Sequence, residues 1–163
     1  MTPPRAIAIV GRGAFGRAIA ERATARGIAV PSWVGRAENA GGAALTRAAL
    51  AGVDVVVEVS TGAAAPDHAI ACLRAGVPVV VGTTGWHDRL GEVESVVQET
   101  GGALFHAANF AVGAWRFAAL VAEAAARFPR PAYDPHLVES HHAAKRDAPS
   151  GTARLLAHAI AAR

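Results

Sequence analysis

The residues Ala6 to Val10 (AIAIV) form an unbroken apolar run that leads directly into a glycine turn, Gly11 to Gly16 (GRGAFG), and helical apolar spacing follows over Ile19 to Ala25. A strand that is apolar on both faces has to be covered on both faces. Parallel sheets meet that condition because their crossover helices lie above and below the strands. The same alternation continues along the chain. Ile28 to Val34 reads as a second strand, weakened by Pro31, and Arg36 to Ala44 as a polar, small-residue connection. Val53 to Val59 (VDVVVEV) is a third strand, and Pro66 to Ala75 a helix stopped by Gly76. Val77 to Val81 is a fourth strand, Asp88 to Thr100 a charged helix closed by Gly101 and Gly102, and Ala103 to Ala107 a short fifth strand. Strands alternating with helices predict an α/β fold, a Rossmann-like doubly wound parallel sheet.

The pattern changes after Asn109. Gly113 to Phe128 is one long alanine-rich helix, Pro129, Pro131 and Pro135 punctuate a loop, His136 to Ser140 reads as a further strand, and Ser150 to Ala162 is helical. A domain boundary near residue 110 is expected, between the α/β domain over residues 1–110 and the start of an α+β domain over 111–163 that holds too few elements to close a sheet of its own.

Composition narrows the class of partner. With 52% hydrophobic residues, 163 positions are ample for a packed core. The 16 basic and 13 acidic residues are scattered without a dense block, so the net charge of +3 and a pI near 10 do not argue for nucleic acid. Charged residues interrupt every alanine-rich segment, so no membrane span is expected. Met1 to Val10 reads as a first strand and not as a signal peptide. Cys72 is the sole cysteine, which rules out an internal disulfide, suits a reducing, cytoplasmic compartment and reads as a small buried apolar residue.

The glycine turn has the context that gives G-x-G-x-x-G its meaning, directly after a strand and opening a helix. Gly11 permits the tight turn, Gly13 lets the backbone approach a pyrophosphate, and Gly16 lets helix and strand pack closely. Ala14 and Phe15 complete the first helical turn, whose N–H groups and positive dipole face the phosphates. At the tip of the second strand stand Gly35 and Arg36, where an NAD site would carry a carboxylate. A guanidinium there suits a 2′-phosphate, so NADPH is favoured over NADH.

Glu139 to Ala153 reads ESHHAAKRDAPSGTA. His141, His142 and Lys145 set three proton-bearing groups next to a Ser150-Gly151-Thr152 turn that begins a helix. Helix N-termini bind carboxylates as they bind phosphates, so an anionic substrate is implied. Taken singly, the histidines read better as surface residues and Ser150 as an N-cap; their combination in this order reverses that weighting. No motif calls for a metal.

That segment closely resembles the signature E-x-H-H-x-x-K-x-D-A-P-S-G-T-A of the 4-hydroxy-tetrahydrodipicolinate (dihydrodipicolinate) reductases. Gly82 to Gly85 (GTTG) and Ala107 to Gly113 (AANFAVG) agree in order and spacing, while Phe15 stands where the family usually has methionine. The resemblance implies a cyclic dicarboxylate held by His142, Lys145, Ser150, Gly151 and Thr152, with Thr83 also at the substrate. It further implies a nicotinamide presented over Gly82, Thr84, Ala108 and Phe110. Hydride from NADPH or NADH would reduce the unsaturated ring in lysine and diaminopimelate biosynthesis, with His141 as the acid and Lys145 stabilising charge. A complete family member is expected to be a homotetramer, and its chain to continue for tens of residues past the position of Arg163. On that ground the substrate domain is expected to be partial and the isolated chain a poor catalyst. The alternatives are another NAD(P)-dependent dehydrogenase of similar architecture, or a non-catalytic nucleotide-binding protein.

Overall fold

β1 (Ala6–Val10) sits between β2 (Ala29–Val34) and β3 (Val55–Glu58) in the computed structural model of the chain, which describes residues 3–128, 132–141, 143 and 148–162. β4 (Val79–Val81) and β5 (Leu104–His106) extend the sheet beyond β3, giving the order β2-β1-β3-β4-β5 with every pairing parallel. This is a doubly wound order whose direction of winding reverses between β1 and β3, and ligands of such sheets bind beyond the carboxyl ends of the strands at that reversal. The register aligns those ends in one row: Val34 pairs with Val10, Val10 with Glu58, Glu58 with Val81, and Val81 with His106.

The two faces are covered by different helices, as the reversal requires. α1 (Ala14–Ala25) lies on the face bearing Ile7 and Ile9, where Ala23 is buried and Ile19, Ile28, Val55 and Val57 pack around it. α2 (Ala65–Ala75) and α3 (Leu90–Thr100) cover the other face, where Ala8, Val10, Val56, Val79 and Val81 meet Ala69, Cys72, Leu73, Val93, Val96 and Trp86. Both helices stop at a glycine in the left-handed region, Gly76 at φ 82° and Gly101 at φ 61°.

The elements follow the sequence pattern, with β4 and β5 shorter than expected and three further adjustments. Pro31 is accommodated by a register shift in an edge strand: Ala6 pairs with Ala29 but Ala8 with Ser32, one residue further on. β3 begins at Val55 and not Val53, because Asp54 turns its carboxylate back to accept the N–H groups of Arg5 and Ala6 at 2.7 and 3.0 Å. α3 is preceded by a separate tight turn at His87–Arg89.

The structure divides into two compact units, Met1–Ala108 and Asn109–Arg163. In the second, α4 (Val112–Arg127) packs on α5 (Gly151–Ala161). The strand expected over His136 to Ser140 does not form: these residues carry no ladder, and the described part of this unit contains no strand to supply one. No helix among the described residues is long and apolar enough to cross a membrane.

Candidate functional site

The glycine turn crosses from β1 to α1 at the winding reversal, and its three glycines do different things. Gly11 adopts φ 116°, and a Cβ there would stand 2.4 Å from the Val59 carbonyl oxygen. A Cβ on Gly16 would meet the Gly11 oxygen at 2.0 Å, so helix and turn pack backbone to backbone. Gly13 differs in that nothing lies within 4 Å of the position a Cβ would take. It is the N-cap of α1, without a side-chain cap and without an acidic residue in the first turn. The N–H groups of Ala14 and Phe15 lack helical acceptors for geometric reasons. An anionic group can therefore reach the amino end of α1 across open space, and that is what a dinucleotide pyrophosphate requires. Phe15 lines an apolar hollow of about 310 Å³ with Ile7, Ile19 and Ile28.

The turn is braced from β2. The Trp33 indole donates to the Gly11 oxygen at 3.0 Å, and the Arg12 guanidinium donates to the Trp33 oxygen at 2.9 Å. Arg12 also pairs with Glu38 at 3.3 Å, and Glu38 accepts the Gly35 N–H at 2.8 Å. The tip of β2 thus carries two guanidinium groups, since Arg36 is exposed in the same turn. It also carries a carboxylate, Glu38, that sequence reasoning passed over. Glu38 lies three residues beyond the strand tip and reaches it only because the chain turns back there.

At the carboxyl ends of β3 and β4 the row closes on a buried polar group. Glu58 is 0% exposed; its Oε1 accepts the Ser60 N–H at 3.1 Å and the Ser60 hydroxyl, and faces His68 Nδ1 at 3.1 Å. Its Oε2 accepts the Thr83 hydroxyl at 2.5 Å. Thr83 therefore turns its side chain toward the sheet edge, while Gly82 is held by its N–H on the Glu58 carbonyl at 2.8 Å. Thr84 and Ala108 are exposed at the same ends of the strands. Cys72 is fully buried below, and burial followed by the Glu58 charge pushes its thiol up to about 12.

In the second unit Ser150 caps α5: its hydroxyl accepts the Ala153 N–H at 3.0 Å. Gly151 and Thr152 occupy the next two positions, whose N–H groups have no helical acceptor, and a Cβ on Gly151 would meet nothing within 4 Å. The Asn109 amide stands 3.5 Å from the Thr152 hydroxyl. Glu139 accepts the Ser150 N–H at 3.0 Å and holds His141 Nε2 at 3.0 Å. The Ser150 hydrogen bonds, with His141 beside them, lower its carboxyl from the ordinary 4.5 to about 2. His141 is thus exposed but oriented by a carboxylate partner that its own signature supplies. Phe110 is exposed before α4. His142 and Lys145 lie outside the described residues.

Two family models match most of the chain, described as dihydrodipicolinate reductase, N-terminus, over residues 5–110 and dihydrodipicolinate reductase, C-terminus, over residues 113–163. The chain belongs to the dihydrodipicolinate reductase family. Among relatives named 4-hydroxy-tetrahydrodipicolinate reductase, that of Bifidobacterium animalis subsp. lactis is 40% identical over 125 residues, 72% of this chain and 47% of the relative. That of Zymomonas mobilis subsp. mobilis is 37% identical over 161 residues, 95% of this chain and 61% of the relative. A dipicolinate-bound dihydrodipicolinate reductase from Paenisporosarcina sp. TG-14 superposes with a TM-score of 0.70 at 25% identity, covering 96% of this chain and 65% of that one. The chain spans about half the length of the relatives that it matches. Within the dihydrodipicolinate reductase family, the segments matched here hold the glycine turn and the signature around α5.

Proposed function

We propose that the chain carries the cofactor site and part of the substrate site of an NAD(P)H-dependent reductase acting on 4-hydroxy-tetrahydrodipicolinate or its dehydrated form. The observation that carries this reading is the amino end of α1: an uncapped helix terminus, open space at Gly13, and two flanking glycines whose missing side chains let the turn close. The pyrophosphate is assigned to the N–H groups of Gly13, Ala14, Phe15 and Gly16. The nicotinamide is assigned to the backbone of Gly82, Thr84 and Ala108, with Phe110. Arg12 neutralises Glu38, leaving Arg36 for a 2′-phosphate, so NADPH is preferred to NADH.

The second site is read from the signature and from the dipicolinate carried by the Paenisporosarcina relative. One carboxylate of a cyclic dicarboxylate rests on the Gly151 and Thr152 N–H groups and the Thr152 hydroxyl. His142 and Lys145 are assigned to the remaining charge. The bound nicotinamide supplies a hydride. As the ring accepts it, a carbon next to the reduced bond becomes basic, and His141, held at its Nε2 by Glu139, delivers the proton there. The buried, unpaired Cys72 agrees with a reducing, cytoplasmic location.

Calorimetric titration of the folded chain with NADPH, NADH and dipicolinate tests the reading. Binding of NADPH with micromolar affinity is expected, and Arg36→Ala should weaken NADPH about tenfold more than NADH, as the loss of a charged hydrogen bond would. No heat with either nucleotide at millimolar concentration would overturn it. Equal losses of the two nucleotides in Arg36→Ala would remove Arg36 from the 2′-phosphate.

A further inference from the structure

Resting on the assignment of the Gly82–Gly85 loop to the nicotinamide, we propose that the buried Glu58–His68 pair is a positioning device for that loop, acting through the Thr83 hydroxyl. A carboxylate with no exposed surface is costly unless it is fully hydrogen-bonded, and replacing a buried pair with apolar residues is often neutral or stabilising. Glu58 ends a strand of valines, VVVE, where a fourth valine would complete an apolar core. The carboxylate therefore needs a reason beyond packing, and its partners supply one.

Those partners come from three separate segments that meet at the carboxyl edge of the sheet. Ser60 belongs to the turn after β3, His68 to α2, and Thr83 to the loop after β4. His68 reaches a fourth, since its Nε2 stands 3.3 Å from the Asn39 oxygen in the connection after β2. A carbonyl can only accept, so Nε2 bears a hydrogen, while Nδ1 faces Glu58 Oε1 at 3.1 Å and the Ser60 hydroxyl at 3.2 Å. With Oε1 occupied in this way, Oε2 is left for Thr83, at 2.5 Å. Thr83 is then gripped from both sides, because its carbonyl oxygen accepts the Trp86 indole N–H at 2.9 Å. The loop is also pressed against Gly62, where a Cβ would stand 2.6 Å from the Gly85 oxygen and 2.8 Å from the Thr84 oxygen. The side chain and carbonyl of Thr83 are thereby committed to the protein, so the loop can present only Gly82 and the outer edge at Thr84. Ser60 borders the pyrophosphate turn through its backbone nitrogen, 3.1 Å from where a Cβ on Gly11 would stand, and His68 meets the connection after β2 at the Asn39 oxygen, whereas Thr83 belongs to neither region. Acting through Thr83, the pair should consequently govern how well the nicotinamide half is held and leave the adenosine half nearly unchanged.

The test compares NADPH with adenosine 2′,5′-bisphosphate, which lacks the nicotinamide, by calorimetry on the whole chain. Thr83→Val and Glu58→Gln should each weaken NADPH about tenfold while leaving the bisphosphate within about twofold, and the double variant should be no worse than the poorer single. Thr83→Ser, which restores the hydroxyl, should recover NADPH affinity. Thr83→Val keeps the side-chain shape and leaves the Ser60 and His68 contacts of Glu58 in place, and Thr83→Ser keeps the hydroxyl as well, so the test stands even if Glu58→Gln does not fold. Equal weakening of both ligands, unchanged NADPH affinity, additive losses, or no rescue by serine would overturn the proposal alone. A wild type that binds neither ligand would overturn the cofactor reading and this proposal with it. A wild type that binds both equally well would remove the nicotinamide from the loop, with the same consequence.

Discussion

Exchanging alanine for glycine at two positions of one turn should separate folding from binding. At Gly16 the added methyl would sit 2.0 Å from the Gly11 oxygen, more than 1 Å inside ordinary contact, and that oxygen belongs to the backbone of a buried residue. Relief requires α1 to move off β1, which places the cost at the upper end of overpacking penalties, about 3 kcal/mol. In a chain of this length each kcal/mol moves the melting temperature by about 2–4 °C, so Gly16→Ala should melt roughly 6–12 °C lower. At Gly13 the backbone lies at φ −69° and ψ −177°, which any residue adopts, and the methyl meets nothing within 4 Å. The stability change should stay within about 0.5 kcal/mol, since a poorer cap is offset by a stiffer unfolded chain. The methyl would nevertheless occupy the approach to the α1 N–H groups. Loss of one or two charge-assisted hydrogen bonds there corresponds to roughly a 10- to 100-fold weaker NADPH complex. Scanning calorimetry measures the first effect and titration calorimetry the second. Gly13→Ala binding NADPH as the wild type does would show that the phosphates lie elsewhere, and Gly16→Ala melting with the wild type would refute the close packing.

Three further outcomes follow from the same geometry. Cys72, with its thiol pushed up to about 12 and no exposed surface, should resist iodoacetamide at pH 8 in the native protein and react once guanidinium unfolds it; native labelling seen by mass spectrometry would contradict its placement. The Glu139 carboxyl is lowered in the folded state, so its support of the α5 terminus is complete above about 4.5 and is lost as pH falls toward 2. The Ser150 amide proton shift should follow it with a midpoint near 2, and a midpoint near 4.5 would dissolve the Glu139–Ser150 contact. In a chain of the relatives' length, His141→Gln should lower kcat by roughly 10²–10⁴ with little change in KM, whereas Thr152→Val should chiefly raise KM; the reverse assignment in steady-state kinetics would make His141 a binding residue.

The sheet was legible because parallel strands announce themselves as apolar runs without alternation, as AIAIV and VPVVV do, and because Gly76 and Gly101 mark helix ends that need left-handed backbone. The glycine turn was legible for the same local reason: strand, turn and helix adjoin in sequence. Glu58 and His68 were not. Their meaning depends on Ser60, Asn39 and Thr83, brought together from separate elements by strand order, and VDVVVEV reads as a strand whatever its glutamate touches. Glu38 was hidden by a local reversal of the chain. His136 to Ser140 shows the opposite failure, since a run of strand-forming residues specifies nothing until a neighbouring strand accepts its hydrogen bonds.

The position of β1 also constrains the order of events during folding. β1, α1 and β2 can assemble from the first 34 residues, and the Gly11 N–H already has its acceptor in Val34 at 2.9 Å. The opposite wall of the turn, the Val59 carbonyl against which Gly11 is packed, belongs to a segment nearly fifty residues further along, and it arrives only when β3 docks on the free edge of β1. Loop closure over that distance is slower than local helix or hairpin formation. In refolding, recovery of nucleotide binding should therefore lag behind recovery of helical content, because a site whose two walls come from distant parts of the chain is finished last.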